Sequence, residues 1–292
     1  RYRFYEQTRT DPANTSAPVV INTTNVSVDG GAGNLVNNIE SLCDCEVLFF
    51  HSKCLERAPS FSLPAKTRHY IDNKFIFRED ENDTIEYNKE VIDKFIEQIK
   101  ENDLVVMSDY HKGTITPNDI SRIIKHCNSF KNVSTFVDTN HVFDEHKNVT
   151  WLKINNQTAI EKTGLYDKAQ AKALSNETLS NVIVTKGEVG FAAYIKEKNQ
   201  TISYSKEDNV NFVDSIGAGD TFLAGFISAI LLDMGYLSGM IYADTVAHIS
   251  TTKLGTIKEV SKEEADKEYL RVKTSLNDMG DVLYVHRTTN DD

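Results

Sequence analysis

The sequence predicts an α/β fold with a mostly parallel sheet and helices on both faces. Three observations carry this. Short apolar runs recur at 46–51, 103–108, 133–137, 151–154 and 181–185, and runs of that length without polar alternation fit strands buried on both faces. Helical patterns follow several of them, and repeated strand–helix units make a parallel sheet with crossover helices. The run at 103–108 also ends in the polar segment from Asp109 to Gly113, at the strand end where α/β folds place ligand contacts. At 292 residues the chain fits one large domain with an appendage, or two small ones.

Taken in order, residues 1–18 are polar and read as irregular, with Pro12 and Pro18 as breakers. Segment 19–28 alternates weakly and predicts a strand. Asp29-Gly-Gly-Ala-Gly-Asn34 then leads into a helix over 35–42, and a glycine turn there lets a ligand approach the backbone. Residues 46–51 predict a short buried strand and 52–64 a loop. Residues 66–78 divide into two β segments around Asp72-Asn73. Lys66 and Arg68 occupy alternate positions and so project from one face; the plain alternative is two solvated edge charges. Residues 88–99 have helical amphipathicity. The strand at 103–108 runs into Asp109-Tyr110-His111-Lys112-Gly113. A helix over 120–127, strands at 133–137 and 151–154, and a strand at 181–185 follow. The last leads into Lys186-Gly-Glu-Val-Gly190 and a hairpin of 191–195 with 201–204. Helices are predicted over 223–232, stopped at Gly235, over 237–252 and over 263–279. The tail carries no pattern.

Composition excludes several functions. A hydrophobic fraction of 40% supports a real core, and the net charge of −11 argues against a nucleic-acid surface. An anionic substrate would then need locally placed Lys and Arg. The apolar runs are too short to span a bilayer, and the first residues lack the apolar core of a signal peptide, so a cytoplasmic protein without membrane contact is expected. Cys43 and Cys45 are too close for the usual zinc pair and no second pair follows Cys54 and Cys127; four reduced, metal-free thiols are expected.

The chemistry gathers in Val213-Asp-Ser-Ile-Gly-Ala-Gly-Asp-Thr-Phe222. Two glycines around an alanine open a buried helix whose first N–H groups point outward, a ready anion site. Asp220, one residue past the last glycine, stands where it could activate a hydroxyl while the amides hold the phosphoryl group that hydroxyl attacks. The structural alternative is a glycine-rich cap on a core helix, with Asp220 a first-turn charge.

The string Asp214-Ser-Ile-Gly-Ala-Gly-Asp220-Thr-Phe222 resembles the signature of the ribokinase (pfkB) family of sugar kinases, usually Asp-Thr-x-Gly-Ala-Gly-Asp-x-Phe. Ser215 departs and keeps the hydroxyl. The resemblance runs over about residues 9–258. Gly30, Gly31 and Asn34 match the family's Gly-Gly-Ala-x-Asn sugar contacts, and the turn after Thr185 matches its Thr-x-Gly-x-x-Gly nucleotide turn. The nearest type is the bacterial heptose-7-phosphate kinase, on the Pro-Val-Val that closes 9–20, Lys66-Thr-Arg68, Ser108-Asp-Tyr-x-Lys-Gly113 and Lys253-Leu-Gly-Thr256. The resemblance implies a ribokinase-like three-layer sandwich, one kinase domain over 1–292 with a small β lid from about 19–28 and 66–78. It implies ATP and Mg²⁺ as cofactors, Asp220 as base, and the Gly217, Ala218 and Gly219 amides as the phosphoryl cradle. Gly30, Gly31, Asn34 and Asp109 would hold sugar hydroxyls, and Lys66, Arg68 or Lys112 a substrate phosphate. Asn155, Thr158, Thr185, Lys186, Gly187, Gly190 and Gly255 would face the nucleotide. The phosphorylated group would be the anomeric hydroxyl of a heptose 7-phosphate. Two- or three-stranded lids have open edges, so a homodimer through them is expected.

The sequence departs from the family in four places. His111 replaces Gly in the Ser-Asp-Tyr motif. Thr158 stands where the family's Asn-x-x-Glu has Glu, and Glu161 lies a turn further. The chain opens where the family has already passed its first strand and a Gly-Asp-x-x-x-Asp sugar contact, so that strand is expected either to be missing from this sequence or to be supplied elsewhere. The segment between Phe50 and Lys66 is short and lacks the family's helix. Two other readings therefore stay open: a kinase for another sugar or a nucleoside, and a kinase-like protein that binds sugar or nucleotide without turnover.

Overall fold

The computed structural model describes residues 1–13, 17–28, 30–50, 64–81, 87–141, 144–205, 212–253, 259–279 and 283–287. Along the chain, β1 (Tyr2–Thr10) and β2 (Pro18–Val26) precede α1 (Ala32–Leu42), and β3 (Ala65–Ile71) and β4 (Lys74–Glu81) form a hairpin. Then come α2 (Lys89–Gln98), β5 (Leu104–Asp109), α3 (Pro117–Cys127), β6 (Ser134–Thr139), β7 (Trp151–Asn155), α4 (Asn156–Thr163) and α5 (Lys168–Thr178). The remainder is β8 (Asn181–Thr185), β9 (Gly190–Ile195), β10 (Gln200–Ser205), α6 (Ala218–Leu231), α7 (Tyr236–Thr251), α8 (Lys262–Met279) and β11 (Leu283–Arg287).

The seven-stranded sheet has the order β11-β10-β9-β8-β7-β6-β5. Strands β5 to β8 are parallel, while β9, β10 and β11 join antiparallel, so five of the seven strands share one direction. Period-two alternation splits their apolar side chains between two cores. Phe136, Trp151, Ile183 and Ala193 face α1, α6, α7 and α8. Val137, Leu152, Val182, Val184 and Tyr194 face α2, α3, α4 and α5. This is the expected three-layer sandwich. Helix starts are secured locally: Asn88 accepts from the Glu90 and Val91 amides, and Thr116 with Asp119 forms a capping box ahead of Pro117. Helices α6 and α7 approach so closely that a Cβ on Gly225 would lie 2.9 Å from the Ala243 Cα.

The four-stranded sheet has the order β2-β1-β3-β4. The Asp72-Asn73 turn is as expected, with φ of 49° and 63°, the positive values a tight hairpin loop demands. Tyr2, Phe4 and Tyr70 stack on one face, with ring centroids 5.2–6.5 Å apart.

The structure corrects several expectations. Residues 1–18 are not irregular: Tyr2–Thr10 is a strand, antiparallel to β2 and parallel to β3. Its inward positions are aromatic and separated by charged residues, so composition hid the alternation. Residues 46–50 form no strand; Val47 packs against the core and Phe50 sits edge-on to Phe95 at 5.2 Å, so the apolar run is spent on side-chain packing. Helix α6 opens in the glycine turn as expected, at Ala218, and ends at Leu231, but Gly235 caps the start of α7 and does not stop α6. Helices α4 and α5 were unread because their sequences are polar. The tail contributes β11, paired to β10. No helix among the described residues is long and apolar enough to cross a membrane.

Candidate active site

The site lies where β5, β6 and β7 end, beneath the first turns of α1 and α6. Helix α6 starts from Gly217 in the left-handed region at φ 79°, a conformation glycine adopts without cost. The preceding turn is pinned: Val213 N–H and Asp214 N–H both donate to the Thr251 carbonyl, at 2.9 and 3.0 Å, and Ile216 N–H donates to Asp214 Oδ1 at 2.9 Å. Ala218 N–H donates to the Ser215 carbonyl at 3.1 Å. Among the described residues, the Gly217 and Gly219 amides have no hydrogen-bond partner, so both remain available to an anion.

Asp220 is 6% exposed. Tyr110 Oη donates to its Oδ1 at 2.5 Å, and Asn34 Nδ2 lies 3.4 Å from its Oδ2 and 3.5 Å from the Gly217 carbonyl. Beneath the helix start, Lys153 Nζ donates to Asp138 Oδ2 at 2.7 Å, both side chains buried. The same ammonium would lie 3.2 Å from a Cβ at Gly219, so glycine there admits the cation to the phosphoryl cradle. Burial, then the charge of Asp138, pushes the Asp220 carboxyl up to about 6, opposed by Tyr110, Lys153 and Asn34. Burial, followed by Asp220 and Asp138, raises the Tyr110 phenol far above its usual range, so it remains a donor.

The acceptor-side residues fall together in part. Gly31 has φ 52°, and a Cβ there would meet the Tyr110 ring at 3.3 Å. Gly30 adjoins it. Asp109 turns inward: its Oδ1 accepts from His111 N–H at 2.9 Å, and its Oδ2 lies 3.8 Å from His111 Nδ1 and 3.9 Å from His146 Nε2. Lys66 is set among cations: burial lowers its pKa first, and the charges of Arg78, Lys112 and Arg68 push the same way. Arg68 stands directly opposite Arg78 across the hairpin and over the Tyr2 ring at 5.9 Å. Like charges opposed in a sheet are unfavourable unless an anion bridges them; Arg78 is partly neutralised by Asp80 at 2.7 Å.

On the nucleotide side, Asn155 Oδ1 accepts from Thr158 N–H at 2.8 Å and caps α4, while its Nδ2 donates to Asn140 at 3.0 Å. Thr185 Oγ1 reaches the Ile154 carbonyl at 3.5 Å. Lys186 Nζ is held by Asp167 at 2.7 Å and approaches Ser203 at 3.4 Å. Gly187 and Gly190 have φ of 64° and 114°, and a Cβ on Gly190 would fall 2.3 Å from the Tyr204 carbonyl oxygen, so only glycine fits. Gly255 lies outside the described residues. Among the described residues, no three His, Cys, Asp or Glu side chains are placed to hold a metal ion.

Lys153, Asp138 and Tyr110 escaped the sequence reading. The signal for Lys153 was present, since a lysine inside the apolar strand Trp151-Leu-Lys-Ile154 needs a buried counter-ion. Tyr110 gave none, because its partner lies 110 residues away.

The sequence pattern of the pfkB family of carbohydrate kinases matches residues 65–263. The bifunctional protein HldE of a Nitratiruptor species is 26% identical over 268 residues, covering 80% of this chain and 56% of that protein. HldE of Campylobacter curvus is 29% identical over 235 residues, covering 75% and 49%. The chain thus spans about half the length of these relatives. Among solved structures, phosphofructokinase-2 from Escherichia coli with fructose-6-phosphate superposes with a TM-score of 0.65 at 14% identity, over 93% of this chain and 95% of that one. Ribokinase from Thermotoga maritima gives 0.62 at 16% identity, over 92% and 96%. At such identities the likeness shows the fold.

Replacing Lys153 by Met strands the buried Asp138 charge. Urea unfolding should then record a loss of about 3–5 kcal/mol, and adding Asp138→Asn should recover much of it. A single variant as stable as wild type would mean that the pair is not buried in solution.

Proposed function

The chain belongs to the pfkB family of carbohydrate kinases, and on that premise we propose that it transfers the γ-phosphoryl group of ATP to a sugar hydroxyl, most specifically the anomeric hydroxyl of a heptose 7-phosphate or a similar sugar phosphate. One observation carries the reading: a buried carboxylate, two unengaged amides and a buried ammonium share the first turn of α6. A helix cap needs neither the base nor the cation.

In this reading Asp220 takes the proton of the acceptor hydroxyl as its oxygen bonds to the γ-phosphorus. The bond from that phosphorus to the β–γ bridging oxygen breaks, ADP leaves, and the proton is later released to solvent. The transition state spreads charge over the equatorial phosphoryl oxygens. The Gly217 and Gly219 amides and Lys153 Nζ are placed to stabilise that charge. Magnesium would be carried on the nucleotide's phosphates, as this ion usually is, and would supply further charge for the transferring group. The turn from Thr185 to Gly190 and the end of β7 would border the nucleotide.

ADP release measured against a panel of free and phosphorylated sugars tests the activity. Asp220→Asn should lower kcat on the order of a thousandfold with ATP affinity little changed. Turnover near the wild-type rate in that variant would remove Asp220 from the reaction, and ATP binding without any turnover across the panel would favour a binder.

The cations Lys66, Arg68 and Lys112 recommend a phosphate on the acceptor, distinct from those of ATP. Arg68→Ala should raise KM for the sugar phosphate at least about tenfold and leave KM for ATP nearly unchanged. Equal use of free and phosphorylated sugars by the wild type would exclude the phosphate site.

The small sheet offers a dimer contact. Phe75, Ile76 and Phe77 on β4 are each more than half exposed, an apolar edge another copy could cover. Light scattering at micromolar concentration should give twice the chain mass, and Phe77→Lys should return it to one chain. A wild type that is monomeric throughout removes the proposal.

A further inference from the structure

The Tyr110 contact belongs to neither the phosphoryl cradle nor the acceptor-phosphate cluster, yet everything around it is arranged to keep it. The loop after β5 is fixed by Asp109, whose carboxylate takes the His111 amide and is flanked by the His111 and His146 imidazoles. That loop turns through His111 at φ 60° and Gly113 at φ 89°. Its Tyr110 ring lies against Gly31, where any side chain would crowd it. The hydroxyl ends on Asp220 Oδ1 at 2.5 Å, a short bond of the kind formed to a charged acceptor.

Resting on the kinase reading, we propose that Tyr110 is a positioning residue for the base: its hydroxyl fixes the Asp220 carboxylate through Oδ1, in the orientation and charge state in which Oδ2 accepts the proton of the acceptor hydroxyl. The geometry leaves that oxygen for the substrate. Oδ1 is engaged, whereas among the described residues Oδ2 has only the 3.4 Å approach of Asn34. The charged and titratable groups facing Asp220 are Asp138 from β6, Lys153 from β7 and Tyr110 itself. Asp138 and burial favour the protonated form, and Lys153 is already engaged by Asp138. Tyr110 is thus the stronger of two neutral donors that offset them, the other being Asn34. A hydroxyl that donates stabilises the ionised carboxylate, so deleting it must move the carboxyl's titration to higher pH.

The test is Tyr110→Phe, which keeps the ring against Gly31. The pH profile of kcat/KM in wild type should fall on the acid side of about 6, and in the variant this limb should move up by about one unit, a deficit near tenfold below the limb that shrinks above pH 8. A merely structural role would lower the rate equally at every pH. Carbon-detected NMR titration of the Asp220 carboxyl, assigned with Asp220→Asn, reads the same shift without turnover. If Asp220→Asn keeps its activity, the base reading fails while the NMR shift still decides the contact. If Asp220→Asn is inactive and neither limb nor carboxyl titration moves in Tyr110→Phe, the positioning role is overturned.

Discussion

The site depends on one electrostatic constraint: two carboxylates and one ammonium share a dry space under the start of α6. Isolated charges there would be prohibitive. Asp138 is matched by Lys153 at 2.7 Å. Asp220 has no cation of its own and relies on the helix start, an amide side chain and a phenol. The result is a carboxyl pushed up to about 6 by burial and by Asp138. Each contributor comes from a different element: α1, the β5 loop, β6, β7 and α6. The three-layer architecture matters because it brings five strand and helix ends to one point.

Much of this was legible in the sequence. The glycine turn and Asp220 are one contiguous string, so local spacing located both the helix start and the carboxylate. The parallel strands announced themselves as apolar runs, and Asp72-Asn73 gave its hairpin turn away by residue type. What stayed hidden was relational. Nothing near Tyr110 hints at a partner in α6, and Asp138 reads as a plain strand end until Lys153 is seen beside it. Strand β1 was missed because Tyr2 and Phe4 are flanked by Arg1 and Arg3 and are followed by a polar run from Glu6 to Thr10. Residues 46–50 misled in the opposite direction, apolar enough for a strand but used to pack Val47 and Phe50.

The small sheet gathers distant segments, which explains its chemistry. Strand β1 pairs with β2 on one side and with β3 on the other, and α1 lies between β2 and β3 in the chain. Lys66 on β3 lies near enough to Lys112 of the loop after β5 for the two charges to repel. Tyr70, on the same face, has its pKa raised by burial and then by Asp214 of the turn before α6, so this face is turned toward that turn.

Strand β11 has a consequence for how the molecule is made. Residues Leu283–Arg287 pair with β10, but the chain delivers them only after α6, α7 and α8. During synthesis β10 therefore presents an open edge while the rest of the sheet is already complete. Non-local pairing of this kind is slow to close and leaves a strand available to other chains meanwhile. Of the seven strands, β11 joins from the latest point in the chain.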